Sequence, residues 1–160
     1  MCLCLMNPNR IIERESPFGI TMAHPPFPCF SWRSGDSFNA KKLLQSFLDL
    51  RPNSQWVMVG EGCIQSELQL WTAWNCASRR WIRSTALARS LDAEFLRYLC
   101  GTHHVSEAFK RAGVRDGDRS GCFLVLPLIG KEGEMPAMPS SGEVEQLERQ
   151  ALQLASSMDV

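Results

Sequence analysis

The sequence lacks the short motifs that mark most nucleotide-binding and hydrolytic sites. Its 160 residues contain no phosphate-binding Walker loop, no G-x-G-x-x-G dinucleotide fingerprint and no G-x-S-x-G nucleophile elbow. Asp116-Gly117-Asp118 is not followed by the glutamate that an EF-hand requires, so we interpret it as a turn. These absences argue against the common enzyme classes and predict a domain that is not an enzyme and holds no cofactor or metal.

The sequence also lacks any C-x-x-C pair, although it has seven cysteines. An odd number of cysteines cannot all pair with one another, and most of these lie in apolar runs, where a free thiol behaves as a small hydrophobic side chain. This pattern predicts reduced thiols in a cytoplasmic protein. The opening MCLCLM is too short for a signal peptide and no stretch approaches a membrane span, so we expect no membrane contact.

Net charge is absent too, since 17 basic residues balance 17 acidic ones. The charges are nevertheless unevenly placed. Between Arg79 and Arg115, eight basic residues face three acidic ones, which leaves +5, whereas two basic residues face six acidic ones from Lys131 onward, which leaves −4. The middle of the chain is therefore predicted to carry a basic surface, and the last part an acidic one.

The apolar and charged contents, 44% and 21%, are typical of one soluble globular domain. Residues 1–26 are hard to assign and residues 130–142 are predicted to be a flexible loop. Apolar runs bounded by turn residues predict strands over 27–32, 56–59 and 122–128, the second of them central. Helical spacing predicts helices over about 37–50, from Ser66 onward and over 143–158, the first with an inward face made of Leu43, Leu44, Phe47 and Leu48. We expect a single α/β (α+β) domain with a small mixed β-sheet flanked by helices.

Residues 90–114 predict two short helices joined at a glycine. Gly101 lies where a left-handed residue would end the first helix, and Thr102 is placed to cap the second. Arg97 is predicted to lie outside the apolar face of the first helix. The buried face of the second is predicted at i, i+3, i+4 and i+7, which are Val105, Ala108, Phe109 and Ala112.

Two groups of residues in this region could carry chemistry. Arg79, Arg80, Arg83 and Arg89 exceed what is needed to stabilise the end of a helix, so they favour phosphate binding about as strongly as a solvated face. Trp81 among them could stack an unpaired base, although a tryptophan in a helical stripe is more often a core residue. His103-His104 beside Cys100 could form a nucleophilic site, but two donors at a helix N-terminus suit a phosphate better.

The same stretch resembles a known family. The pattern begins with an arginine and a serine, which are followed by an acidic residue and an apolar pair. A glycine comes next, then Ser106-Glu107-Ala108, and the pattern ends with Lys110-Arg111-x-Gly113-Val114. This pattern, from about Ile82 to Leu126, is similar to the kinase-binding (PRPK-binding-protein-like) subunit of the KEOPS tRNA-modification complex. The resemblance implies a small α/β subunit without chemistry of its own, bound to a small RIO-like kinase. In archaeal-type members it implies recruitment of the tRNA 3′ CCA end for threonylcarbamoyladenosine synthesis.

The resemblance turns the candidate residues into expectations. We expect tRNA contacts at Arg79, Arg80, Arg83, Arg89, His103 and His104. We expect kinase contacts on helical faces, with candidates at Leu91, Phe95, Tyr98, Val105 and Phe109. Two alternatives stay open: an adaptor that binds the kinase without RNA, and an unrelated small enzyme that uses the Cys100–His104 turn. No small-molecule substrate is expected.

Overall fold

Three strands and five helices make up the part of the chain that the structure, a computed structural model, describes: residues 26–131, 134 and 139–160. The expectations for residues 1–25 and for most of the loop after Lys131 lie outside the described residues. The strands are β1 (Cys29–Arg33), β2 (Trp56–Gly60) and β3 (Ser120–Val125). The helices are α1 (Ala40–Leu50), α2 (Glu67–Ile82), α3 (Leu91–Leu99), α4 (Val105–Ala112) and α5 (Ser141–Met158), and a 3₁₀ turn spans Glu61–Cys63.

The strands form one sheet in the order β1-β3-β2, with both pairings antiparallel. The expected α/β domain with a small sheet flanked by helices is confirmed, although the sheet that the structure describes is antiparallel and not mixed. The central strand, however, is β3, whose Leu124 pairs with Cys29 on one side and Val57 on the other. The prediction that β2 is central was wrong, because an uninterrupted apolar run reports burial on both faces and not the number of neighbouring strands.

Alternate residues of the sheet supply two separate cores. Val57 and Leu124 face the side covered by α2, α3 and α4, whereas Trp56 and Phe123 face α1 and α5. This follows from the two-residue period of a strand, whose successive side chains point to opposite faces. The five helices therefore lie in two layers. Residues 79–115, the basic part of the sequence, belong to the layer of α2, α3 and α4.

Helix α1 begins at a side-chain cap and buries a narrower face than predicted. Asn39 accepts a hydrogen bond from the backbone of Lys42, which satisfies one free N–H of the first turn. Leu43 and Phe47 are buried, but Leu44 and Leu48 are 42% and 44% exposed, so their predicted inward position was wrong. Leu43 and Phe47, at positions i and i+4, are enough to cover this end of the sheet, so the two neighbouring leucines face solvent.

The two helices of residues 90–114 are present, and Gly101 joins them as predicted. Its φ of +60° is readily adopted by glycine, and the amide of Thr102 closes the helix end on the carbonyl of Arg97, 3.0 Å away. The cap of α4 is His104 and not Thr102, whose hydroxyl accepts from the His104 amide instead. Phe109 was predicted to be buried but is 48% exposed, because the small side chains of Ala108 and Ala112 make the close contact.

Helix α5 closes the second core. Ser140 and Glu143 form a reciprocal capping box at its start, and Ala151, Leu154 and Met158 are buried against the sheet. No helix within the described part of the chain is both long and apolar enough to cross a lipid bilayer.

Candidate functional site

The C-terminal end of α2 builds the basic part of the candidate site. Arg79 and Arg80 lie in its last turn and Arg83 is its C-cap. Ser84 then adopts a φ of +54°, and the amide of Thr85 bonds the carbonyl of Arg80 at 2.9 Å. This is the arrangement in which a left-handed residue ends a helix, with serine here in place of the usual glycine. Arg79, Arg80 and Arg83 therefore lie at a well-defined helix end, whereas Arg89 lies in the connection that follows.

The side chains of these arginines face outward. Arg79, Arg83 and Arg89 are exposed, and Arg80 is half-exposed, with its Nε donating to the carbonyl of Thr85 at 3.1 Å. Cations in the last turn also interact favourably with the negative end of the helix dipole. Two of the four, Arg83 and Arg89, lie outside the regular turns of α2. The cluster thus extends beyond the helix end and into the connection that leads to α3.

Trp81 lies among the arginines and differs from the other tryptophans of α2. Trp71 and Trp74 are buried in the core shared with α3, at 6% and 1% exposure. Trp81 is only half-buried and belongs to neither core cluster of the described residues. Trp81 is therefore partly exposed, and it directly follows Arg79 and Arg80 in the chain.

A buried ion pair links the basic connection to the rest of the site, and the sequence did not reveal it. Glu94 and Arg97 on α3 are 0% and 4% exposed, and Arg97 Nη1 lies 2.7 Å from Glu94 Oε2. The prediction that Arg97 lies outside the buried face of α3 was wrong. The i, i+3 spacing of opposite charges was the available signal, but on a surface helix the same spacing is common.

The environment of Glu94 favours its ionised form. Burial alone would raise the pKa of the carboxyl, but hydrogen bonds from the Ala88 amide, from Arg97 and from the Leu87 amide outweigh it. The pKa of Glu94 is therefore lowered from its usual value of 4.5. Both members of the pair carry charge at neutral pH.

The histidine turn, residues 100–104, lies at the other end of α3. His103 and His104 are exposed, and the His103 carbonyl accepts from Arg97 Nε at 3.0 Å. Arg97 also bonds Glu94, which accepts hydrogen bonds from backbone amides of the connection that carries Arg89. Through these two side chains, α3 contacts both the histidine turn and that connection. The structure thus places all six residues predicted to bind tRNA on exposed or half-exposed segments of one helical layer.

The thiol beside the histidine turn is poorly suited to act as a nucleophile. Burial raises the pKa of Cys100, and its Sγ lies 3.6 Å from the carbonyl of Ala108. Burial likewise raises the pKa of Cys63 to about 12. A reactive cysteine needs the opposite shift. Among the described residues, moreover, no three histidine, cysteine or acidic side chains are grouped so as to bind a metal ion.

The five residues predicted to bind a kinase differ in how far the fold exposes them. Phe95 is completely buried and stacks on Phe27, with ring centroids 6.1 Å apart, so it belongs to the core. Leu91 and Val105 are half-buried. Phe109 is the most exposed of the five, on the outer face of α4. Tyr98 lines a shallow, mainly apolar groove of about 330 Å³ between α2 and α3, together with Ser66, Leu68, Gln69, Thr72, Ala73 and Cys76.

Comparison with known proteins identifies one family. The family described as kinase binding protein CGI-121 matches residues 36–160, more than three quarters of the chain and all of it from the turn before α1. No curated protein matches the sequence significantly. The family match includes every residue of the basic cluster, the histidine turn and the buried pair.

Proposed function

We propose that this chain, which belongs to the CGI-121 family of kinase-binding proteins, recruits tRNA to the kinase that it binds. It would act as a non-catalytic, cytoplasmic subunit of a KEOPS-type assembly, with a small RIO-like kinase as its protein partner. Its RNA ligand would be the single-stranded 3′ CCA end of tRNAs that receive threonylcarbamoyladenosine. Family membership supports the kinase contact, and the basic surface at the end of α2 supports the RNA contact.

The observation that carries the RNA role is the placement of the arginines. Arg79, Arg83 and Arg89 are exposed around a helix end, and the half-buried Trp81 lies between them in the sequence. Proteins that hold single-stranded nucleic acid combine cations for the phosphates with aromatic rings on which bases stack. Guanidinium groups also bind phosphate oxygens in a bidentate manner, which gives a geometry as well as a charge.

The opposite face of the sheet has a different character. Helix α5 on that face carries three glutamates against one arginine and would repel phosphates, although α1 beside it carries Lys41 and Lys42. The exposed arginines at the end of α2 make the layer of α2, α3 and α4 the better place for RNA. Within that layer Phe109 on α4 is a large exposed apolar side chain, which supplies a candidate contact for the kinase.

A binding titration tests the RNA role. Fluorescence anisotropy would compare intact tRNA with the same tRNA lacking its three terminal nucleotides, and we expect clearly weaker binding of the trimmed molecule. The cognate kinase provides a parallel measurement, since the mixed proteins should co-elute in size-exclusion chromatography as a one-to-one complex. Co-elution with equal binding of both tRNAs would identify a kinase adaptor without RNA recruitment. Two separate peaks at micromolar concentration would contradict the kinase contact.

A further inference from the structure

Glu94 holds the connection between α2 and α3 from beneath. Its Oε2 accepts hydrogen bonds from the backbone amides of Leu87 and Ala88, at 3.1 and 2.9 Å. These amides precede Arg89, and no regular secondary structure fixes the connection there. A carboxylate that accepts two successive amides sets the path of the backbone, because both N–H groups must point at one oxygen.

Arg97 holds the histidine turn in the same way. Its guanidinium donates to Glu94 through Nη1 and to the His103 carbonyl through Nε, at 2.7 and 3.0 Å. The fork of the guanidinium is rigid, so the two bonds fix the direction of the turn relative to the carboxylate. The pair therefore connects two surface segments that are separated in the sequence by the whole of α3.

We propose that Glu94 and Arg97 are a positioning pair for RNA recognition. They set the spacing between the arginine-bearing connection, residues 83–90, and the histidine turn, so that both can contact one single-stranded tRNA end. This inference rests on the proposed RNA role and adds the residues that organise it. Neither side chain is expected to contact RNA, since Glu94 and Arg97 are only 0% and 4% exposed.

A third contact extends the pair to the surface. Glu94 Oε1 accepts no hydrogen bond from any residue that the structure describes, and Arg80 Nε lies 4.0 Å from it. Arg80 is half-exposed, and its charge is attracted to the buried carboxylate while Nε bonds Thr85. Glu94 thereby restrains one of the arginines proposed to contact phosphate as well as the connection behind it.

The negative charge of Glu94 allows a positioning role to be distinguished from direct electrostatic attraction of the phosphates. Glu94 is a negative charge beneath a surface proposed to bind phosphates, so its charge by itself opposes RNA binding. Fold stability does not require an ion pair here either, because well-packed apolar side chains often stabilise a buried site as well as two charges do. Apolar side chains would, however, leave the amides of Leu87 and Ala88 and the carbonyl of His103 without their partners.

The decisive variant is Glu94→Met/Arg97→Met, which removes one charge of each sign and so keeps the net charge, and which leaves the amides of Leu87 and Ala88 without a side-chain acceptor. We expect its preference for intact over trimmed tRNA to fall by about tenfold or more, the equivalent of losing one stacked base or charged contact. Affinity for the kinase should stay at the wild-type value. The matched control is Glu145→Met/Arg149→Met, which removes one exposed charge of each sign from α5, on the other face of the sheet, and should leave the preference for intact tRNA unchanged.

A conservative variant keeps the test decisive if the double variant does not fold. Arg97→Lys retains the charge beside Glu94 but cannot bond the carboxylate and the His103 carbonyl with a planar fork. It should lose part of the preference for intact tRNA while the kinase still binds. An unchanged preference in either folded variant would overturn the positioning pair and leave RNA recruitment standing. Equal binding of both tRNAs by the wild type would instead overturn RNA recruitment itself, and the inference with it.

Discussion

Arg97 Nη1 lies 2.7 Å from Glu94 Oε2, and neither side chain is appreciably exposed. Removing one member would leave the other as an uncompensated buried charge, which typically costs about 3–5 kcal/mol. The protonation state of Glu94 is therefore tied to the stability of the layer that carries the basic surface.

Glu94 should make the protein sensitive to acid. Its pKa is below the usual 4.5 in the folded state, so its contribution to stability is complete above that value. The contribution is lost as the pH falls below 4.5 and through the lower folded-state pKa, at about 1.4 kcal/mol per unit of pKa difference. Urea unfolding of the wild type and of Glu94→Gln/Arg97→Met between pH 3 and 6.5 should show a shallower acid decline in the variant.

The exposed pair of α4 supplies the control for this measurement. Glu107→Gln/Arg111→Met changes the same residue types where solvent screens them, and its acid decline should follow the wild type. Parallel curves for the wild type and the Glu94 variant would show that the buried carboxyl does not titrate with folding.

Sequence periodicity predicted most of the elements because burial of apolar stripes determines them. The sequence correctly predicted Gly101 as the end of a helix for a simple steric reason. Glycine readily adopts the left-handed backbone conformation that ends a helix. Ser84 plays the same part at the end of α2, but serine carries no such signal. The run of arginines indicated that α2 ends there, but residue type alone did not indicate which residue would adopt the left-handed conformation.

The buried pair could not be predicted for a different reason. Charged side chains are normally expected at the surface, and only the tertiary contacts of Glu94 with the amides of Leu87 and Ala88 make burial favourable. Phe109 illustrates the converse, since an aromatic residue at the right spacing was predicted to be in the core. The positions of the exposed arginines, by contrast, followed directly from local charge and spacing.

Phe109 should be important for kinase binding and not for stability. It is a large apolar side chain that is 48% exposed, and aromatic residues of this kind often dominate protein interfaces. We expect Phe109→Ala to weaken binding of the cognate kinase by about 2 kcal/mol, measured by isothermal titration calorimetry, with a nearly unchanged melting temperature. The control is Leu48→Ala, which truncates a 44% exposed leucine on the opposite layer and should bind normally. Wild-type affinity of the Phe109 variant would remove α4 from the interface.

The core thiols should resist alkylation in the folded protein. Burial raises the pKa of Cys63 to about 12 and also raises that of Cys100; the hydrogen bond with Cys122 and burial do the same for Cys29. Since the thiolate is the reactive form, iodoacetamide at pH 8 should modify these three residues only after unfolding in urea. Peptide mapping by mass spectrometry would check this. Rapid, selective labelling of Cys100 in the native state would revive the enzyme alternative.

Trp81 and Trp74 should respond differently to the same substitution. Trp74 is 1% exposed in the core, so Trp74→Ala should cost about 3–5 kcal/mol of stability, measured by urea unfolding. Trp81→Ala should lower stability much less and weaken tRNA binding by about 1–3 kcal/mol through loss of a stacked base. Its salt dependence should remain that of the wild type. Unaltered tRNA affinity of the Trp81 variant would exclude stacking on this ring.

The salt dependence of tRNA binding tests RNA recruitment by the basic surface most directly. Arg79→Ala/Arg80→Ala/Arg83→Ala removes three cations from the end of α2. The control Lys41→Ala/Lys42→Ala/Arg149→Ala removes three exposed cations from α1 and α5, on the other side of the sheet. Both variants lose the same charge, so only the location differs.

Each neutralised single-strand phosphate contributes about 0.7 to the slope of log K against log salt concentration. The α2 variant should therefore flatten the slope by about 2 units and bind intact tRNA more weakly, while the control keeps the wild-type slope. Equal slopes and affinities for the wild type and the α2 variant, with both folded, would contradict tRNA recruitment by this surface.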